Sequence, residues 1–412
     1  MFLPMYQLIK IVSLNQLITN LRYNKANKEV KMRFFSLGMF FVVGMLLCVV
    51  SVEAHAQQPV PQNQQPQYDL TNLKSLPDGS SMSIEAFIEE SQEFTQVDED
   101  RPYLNYRVLL PKTWSSSFSN QQDVGRFNPN FLTDLGRYVS PPYGDKRAFL
   151  SVQATVLRYE SFAEDWLRNQ ILINGYSVNA ISVKSNYEVE ALYSAFEGNI
   201  TFAVRARVII DGNLLYFVRY ALPIEYFSQR ADHQKHVMDS FKLLNPTGGS
   251  IEKTRRFSLL DVLTFDYPSS WVIKNPELKK LDHLKVDLLR LEQDSIILGR
   301  IGMEALEKVP NLDLSSHMQR ITGKLEDKGV KIDELKKQIQ VVLPQKFAGG
   351  AVEVYDTYSP SEEGIEQEFW FSFFESNDYY FFFTMLTPTR DASYEEWSRN
   401  RAVFIKILNL LK

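Results

Sequence analysis

The chain has 412 residues, which is more than a single ordinary hydrophobic core supports, so its length predicts two domains. Hydrophobic residues make up 44% of the sequence and charged residues 23%, and the formal net charge is -5, as in soluble globular proteins. The 45 basic residues are spread along the chain rather than clustered, which argues against a nucleic-acid partner.

An export signal is predicted at residues 32–56. Lys31 and Arg33 supply a basic start, apolar residues follow, and Ala54-His55-Ala56 has the small-x-small pattern at which a bacterial secretory signal peptide is cleaved. Because this signal begins at an internal methionine, residues 1–31 are interpreted as an upstream extension that is not part of the fold. We therefore expect an exported, periplasmic protein.

An uncleaved anchor in the inner membrane is the alternative, and it is the only membrane contact that the sequence predicts. The run 34–52 approaches the ~18 apolar residues at which a helix can begin to span a bilayer. Cys48, the single cysteine, lies in this run, so a product cleaved after Ala56 has no thiol for a disulfide, for catalysis or for a metal. Residues 57–75 begin with a Gln/Pro-rich run and are predicted to be a disordered linker.

An internal repeat organises the rest of the sequence. Three landmarks occur twice, in the same order and with similar offsets. The pairs are 110–114 with 267–271, Leu214–Pro223 with Tyr379–Pro388, and 240–244 with 407–411. The repeat predicts a first module over 76–245, a short breaker-rich linker over 246–254 and a second module over 255–412. Such a short linker favours two modules that pack on each other.

Each module is predicted to contain an early helix. In the first module Phe162 and Trp166 share a helix face, and Gly175 ends the helix. In the second module Gly329 ends it. The apolar stripe of that second helix is Leu314, Met318, Ile321 and Leu325. Capping-box spacing occurs in Ser161 with Glu164 and, before the last helix, in Ser393 with Glu396.

A hairpin and a final helix follow in each module. Apolar residues alternate between Ile200 and Ile210, and Asp211-Gly212 supplies a turn to Leu214–Pro223. The second module repeats this pattern before Tyr379–Pro388. The final helices carry apolar stripes at Val237, Phe241 and Leu244, and at Trp397, Phe404, Leu408 and Leu411.

The order of these landmarks resembles the Mog1/PsbP-like fold. The second module matches it through Tyr267-Pro268-Ser269-Ser270-Trp271 and Leu386-Thr387-Pro388, whereas the first departs at Leu110 and Leu222. The resemblance implies an α+β protein with two tandem α/β/α sandwich modules, each a mainly antiparallel sheet flanked by helices. It also implies a non-catalytic binding or assembly module, and it transfers no functional residue.

The sequence offers little for catalysis, metals or nucleotides. After the signal the histidines are His233, His236, His283 and His317. His233 and His236 have helical spacing for two metal ligands, but they are interpreted instead as a solvated face opposite Val237. Nucleotide-binding and nucleophile-elbow patterns are absent from the sequence. We therefore expect no catalytic residues, no metal site and no cofactor.

The aromatic run near the end of the chain is the candidate binding surface. We expect Trp370, Tyr379, Tyr380 and Phe382 to contribute to a surface for a partner or ligand. Consecutive aromatic residues around Phe382 place rings on both faces of a strand, so at least one face needs a cover.

These observations predict a non-catalytic periplasmic binding or assembly-accessory protein that meets a protein partner in the cell envelope. The alternative is a periplasmic carrier of a small molecule or lipid, and it predicts a dry pocket behind the aromatic strand or between the modules.

Overall fold

The fold is α+β and consists mainly of antiparallel sheets. The computed structural model describes residues 73, 75–117, 127–278, 282–292, 296–310, 312–327, 329–358 and 366–412, which all belong to one compact unit. The predicted extension at 1–31, the signal at 32–56 and most of the linker at 57–75 lie outside these residues. Within the described ranges, no helix is both long enough and apolar enough to cross a membrane.

The helices and strands follow one another in two similar series. The α-helices of the described residues are α1 (Ile84–Glu90), α2 (Ala163–Ile173), α3 (Phe227–Ser240), α4 (Leu314–Glu326) and α5 (Tyr394–Asn409). The strands of the first half are β1 (Ser91–Gln96), β2 (Tyr106–Pro111), β3 (Ser115–Ser116), β4 (Thr133–Val139), β5 (Phe149–Val156), β6 (Val178–Ser185), β7 (Glu188–Glu197), β8 (Ile200–Asp211), β9 (Leu214–Pro223) and β10 (Lys242–Leu243). Those of the second half are β11 (Thr254–Leu259), β12 (Leu263–Pro268), β13 (Trp271–Glu277), β14 (His283–Glu292), β15 (Ile296–Glu307), β16 (Lys331–Gln340), β17 (Ala348–Tyr358), β18 (Gln367–Glu375) and β19 (Tyr379–Pro388).

Two seven-stranded sheets share one strand order. The first has the order β3-β4-β5-β9-β8-β7-β6 and the second β13-β14-β15-β19-β18-β17-β16, and neighbouring strands in both are antiparallel. In each half one helix (α2 or α4) follows the third strand of the sheet, and another (α3 or α5) follows the last. The smaller sheets have the strand orders β1-β2-β10 and β11-β12.

The predicted hairpin strands are confirmed. β9 and β19 have the bounds that the repeat predicted, and each pairs with the strand before it. The alternating apolar residues of β8, from Phe202 to Ile210, pack in one cluster with Leu167 and Ile171 of α2. Gly212 makes the turn with a φ of 60°, a conformation that glycine adopts without strain.

Each large sheet is covered by a helix on both faces. In the second sheet, Phe381 and Phe383 pack with residues of α5, while Phe382 packs with Ile321 and Met318 of α4. The expectation that aromatic rings lie on both faces of this strand, and that a cover is needed, is confirmed.

Two local predictions are wrong. The final helix of the first half, α3, ends earlier than its apolar stripe predicted. Phe241 is its C-cap residue, and the next residues form β10, which pairs with β2. The serines of the two capping-box patterns also make no capping hydrogen bond: α2 begins after Phe162, and Ser393 precedes α5 without a side-chain bond to its backbone. Sequence spacing alone does not fix the rotamers that a capping box needs.

The halves are joined by buried polar contacts. Residues 246–254 are built into the fold through Glu252, which is 8% exposed and accepts hydrogen bonds from the backbone N–H groups of Glu160 (3.0 Å) and Ser270 (3.3 Å). Two ion pairs link α2 and the segment before it to α5. They are Asp165 with Arg401 and Glu160 with Lys406.

Candidate functional site

The four residues predicted to form an aromatic surface lie on two different faces of the second sheet. Trp370 and Tyr379 face α5, and Trp370 is fully buried, with its Nε1 donating to Glu368 Oε2 at 3.1 Å. Tyr380 and Phe382 lie on the α4 face. The four therefore do not form one surface, because neighbouring residues in a strand point to opposite sides. A role for any of them in partner binding stays a prediction.

His233 and His236 fix helix α1 in place. His233 is 5% exposed and its Nε2 lies 3.3 Å from Glu90 Oε2, while His236 Nε2 lies 3.0 Å from the carbonyl oxygen of Met82. The prediction of a solvated face is therefore wrong, because α1 and the segment before it cover this side of α3. Among the described residues, no three His, Cys, Asp or Glu side chains are placed to hold a metal ion.

A cavity of about 160 Å³ lies between α4 and the second sheet, and we call it the α4 cavity. Strands β14, β15, β18 and β19 supply its floor, and α4 supplies its roof. Its apolar lining consists of Ile321, Leu325, Val330, Phe369, Phe382, Met385 and Leu386. Its polar lining consists of Lys285, Asp287, Arg300, Gly302, Glu304, Lys324 and Thr384.

Glu304 lies at the centre of a group of cationic and imidazole side chains. Its Oε2 is 3.0 Å from His283 Nε2 and 3.3 Å from His317 Nε2. Its Oε1 is 3.8 Å from Lys324 Nζ and 3.9 Å from Lys285 Nζ. Burial alone would raise the pKa of Glu304, but the hydrogen bonds from the histidines and the charges of the lysines outweigh it and hold the pKa well below its ordinary range.

The orientation of His317 follows from its second neighbour. Arg320 Nη2 lies 2.8 Å from His317 Nδ1. A guanidinium can only donate hydrogen bonds, so Nδ1 accepts, and the ring proton of His317 is on Nε2, the nitrogen that faces Glu304. Arg320 Nη2 itself is 3.6 Å from Glu304 Oε2.

The mouth of the cavity carries an excess of positive charge. Asp287 is held by Arg300, with Nη2 to Oδ2 at 2.7 Å and Nε to Oδ1 at 3.3 Å. The ionic side chains around the cavity are the cations Lys285, Arg300, Arg320 and Lys324 and the carboxylates Asp287 and Glu304. Cations therefore outnumber carboxylates by two. Lys324, Arg320 and Arg300 are between 41% and 49% exposed, which places them at the rim.

The corresponding place in the first sheet carries larger side chains. Gly302 on β15 is opposite Thr384 on β19, and the same register in the first sheet places Ser151 opposite Arg219. Arg219 Nε donates to Ser151 Oγ at 3.3 Å, and its guanidinium lies 5.3 Å from the ring centre of Phe217. A glycine and a threonine in the second sheet thus stand where the first has a serine and an arginine.

The covering helices differ at the same place. In the first half the Trp166 indole of α2 lies edge-on to Phe217, with ring centres 5.3 Å apart. In the second half the smaller imidazole of His317 on α4 contacts Phe382 at 4.6 Å. On the floor, the second sheet therefore carries smaller side chains at Gly302 and Thr384 than the first sheet carries at Ser151 and Arg219.

Sequence reasoning missed this site because of the pattern of β15. Its residues Ile301, Met303 and Ala305 alternate with Arg300, Gly302 and Glu304. Such alternation is typical of a strand with one face in water. Here α4 covers the polar face, so the signal that could have revealed the site was a polar strand face opposite an amphipathic helix.

Comparisons with known proteins identify structural likenesses only. No family model and no curated protein sequence matches the chain. Among solved structures, a cyanobacterial PsbP (CyanoP) from Synechocystis sp. PCC 6803 is similar at 14% identity, covering 41% of this chain and 98% of its own, with a TM-score of 0.26. DynU16, a protein of the dynemicin biosynthetic locus, is 7% identical over 66% of this chain and 81% of its own, with a TM-score of 0.13. The di-domain ARO/CYC StfQ of the steffimycin pathway is 6% identical over 66% and 83%, with a TM-score of 0.11.

Proposed function

We propose that this chain is an exported, non-catalytic binding protein of two tandem Mog1/PsbP-like modules, whose second module binds a small molecule in the α4 cavity. The basic, apolar and small-x-small pattern at 32–56 supports export to the periplasm. The shared strand order of the two sheets, together with the repeated landmarks, supports tandem modules.

The observation that carries the proposal is the difference between the two sheets. The first sheet carries Ser151 and Arg219 where the second carries the smaller Gly302 and Thr384, and an open space of this size forfeits packing energy. At about 160 Å³ the α4 cavity is comparable with the roughly 150 Å³ cavity that holds a benzene molecule. Its lining combines apolar side chains with charged and polar ones, and such a combination binds the apolar part of a small ligand and fixes its orientation.

The direct test is uptake of a benzene-sized probe. We expect toluene or benzoate to bind the wild-type protein at millimolar concentration, as detected by saturation-transfer NMR. Thr384→Leu places a larger side chain in the cavity and should abolish uptake of both probes. Thr384→Val keeps the volume and should retain it.

Two results would contradict this proposal. If neither probe binds the wild-type protein, the proposed small-molecule function is wrong. If Thr384→Leu, folded by circular dichroism, takes up the probes as the wild type does, the binding site is not the α4 cavity.

A protein partner in the envelope is the second candidate. It is favoured by the buried contacts of Asp165 with Arg401 and of Glu160 with Lys406, which join the two halves in one compact unit and so present a fixed combined surface. Affinity purification from gently solubilised envelopes tests it. Elution of the chain without any stoichiometric partner would contradict this candidate.

A further inference from the structure

We infer that the ligand of the α4 cavity is a small apolar anion, of the class of a benzene-sized carboxylate. This inference rests on the proposed function and adds the charge and size of the ligand to it.

The charge of the ligand follows from the partners of the two carboxylates in the cavity, Asp287 and Glu304. Asp287 is neutralised by the two-point contact with Arg300. Glu304 has hydrogen-bond contact with His283, whereas the ammonium groups of Lys285 and Lys324 stand 3.9 Å and 3.8 Å away from it. These two lysines therefore attract Glu304 without donating to it, and each ammonium has donors for a second anion.

The position of the charge follows from the rim. Lys324 is 49% exposed and Arg320 46%, and both belong to α4 above the cavity mouth. An anion at the mouth meets Lys285 from the floor and Lys324 from the roof, while the apolar part of the ligand rests on Phe369 and Phe382. A cationic ligand would have to approach Glu304 past the same lysines.

The size of the cavity selects a free small molecule over a lipid. Drug-sized ligands occupy pockets of roughly 300–1,000 Å³. The α4 cavity has about 160 Å³, which suits one ring or a short branched chain. We therefore expect a long-chain carboxylate to bind no more tightly than a ring of benzene's size.

The experiment compares ligands of similar shape and different charge by calorimetric or NMR titration of the purified protein. Benzoate should bind at least about tenfold more tightly than neutral toluene, since a hydrogen bond to a charged group is worth more than a neutral contact. Benzylamine should bind more weakly than toluene. The preference for benzoate should fall as salt is raised, because the rim charges are exposed.

Substitutions at the rim test where the charge of the ligand binds. Lys324→Met should weaken benzoate binding by roughly fivefold relative to toluene binding in the same variant. Lys112→Met, at an exposed position in the turn between β2 and β3 of the first half, is the matched control and should change binding of neither ligand. Glu304→Gln removes an anion from the site and should strengthen benzoate binding.

The ligand titrations distinguish failure of the anion inference from failure of the proposed function. Equal affinities for toluene and benzoate, or tighter binding of benzylamine, would overturn the inference of an anion while the proposed small-molecule function stands. Dodecanoate binding more tightly than benzoate would overturn the size argument and indicate a lipid. Failure of every probe would overturn the proposed function itself.

Discussion

A carboxylate enclosed by cations contributes stability that depends on pH. The pKa of Glu304 in the folded protein lies below its ordinary value of 4.5, because the His283, His317, Lys324 and Lys285 side chains around it outweigh the effect of burial. Its contribution is therefore fully present above pH 4.5 and is lost as the pH falls from there towards the folded pKa. We expect the free energy of unfolding of Glu304→Gln to fall less steeply on acidification than that of the wild type. Between pH 4.5 and about pH 2, its loss should be smaller by on the order of 2 kcal/mol.

Urea unfolding at a series of pH values measures this loss. Glu307→Gln, an exposed position on the same strand, is the control and should keep the wild-type profile. A Glu304→Gln profile that runs parallel to the wild type below pH 4.5 would mean that the cluster does not hold the carboxylate charged.

At the scale of one residue the sequence predicted that at least one face of the aromatic strand is covered, and both faces are. It also assigned Phe382 and Trp370 to a binding surface, whereas both side chains are buried. It could not predict that Glu304 of β15 meets His317, which lies on α4 and reaches the carboxylate only when that helix packs on the sheet. Contacts between distant residues depend on helix placement, which periodicity does not define.

At the scale of elements, α4 has a side-chain cap at its start that α5 lacks. Asp313 caps this helix: its Oδ1 accepts from the Ser316 N–H at 3.0 Å and its Oδ2 from Ser316 Oγ at 2.6 Å. Asp313→Ala should lower the free energy of unfolding by about 1 kcal/mol. Ser393, at the start of α5, makes no such bond, so Ser393→Ala should change it by less than about 0.5 kcal/mol.

Thermal melting of both alanine variants provides the comparison. Equal losses at the two caps would show that Asp313 contributes through its charge or its surroundings rather than through the capping bonds.

The elements that the sequence predicted well are those that depend on their own periodicity. The apolar residues of β8 alternate and pack in one cluster with α2, and glycine marks the turn to β9. The end of α3 was misjudged because Phe241 and Leu244 continue a helical spacing although the chain has already turned to pair with β2. Pairing with a distant strand outweighed local spacing there.

At the scale of the molecule, the repeat predicted mainly antiparallel sheets, and no sequence pattern indicated the contacts that join the two halves. Arg401 and Lys406 lie on α5, and their partners Asp165 and Glu160 lie in the first half. Nothing in the local pattern marks these side chains, because a charged residue on a helix face usually reads as exposed. The joined halves should therefore unfold together, as one calorimetric transition.

The buried pair of Glu160 and Lys406 is the most sensitive point of this junction. Glu160 is 2% exposed and Lys406 9%, and burial raises the pKa of Glu160 in spite of the hydrogen bond from Lys406. Lys406→Met leaves a buried carboxylate without its cation, beside the charge of Glu252, and such a loss costs about 3–5 kcal/mol. We expect a fall in Tm on the order of 10 °C, with the single transition split in two.

The double variant Glu160→Gln/Lys406→Met removes both charges and should recover most of the loss, since a buried pair replaced as a whole is nearly neutral. Differential scanning calorimetry measures both, and a double variant as unstable as the sum of its single variants would show that the two charges do not act as a pair.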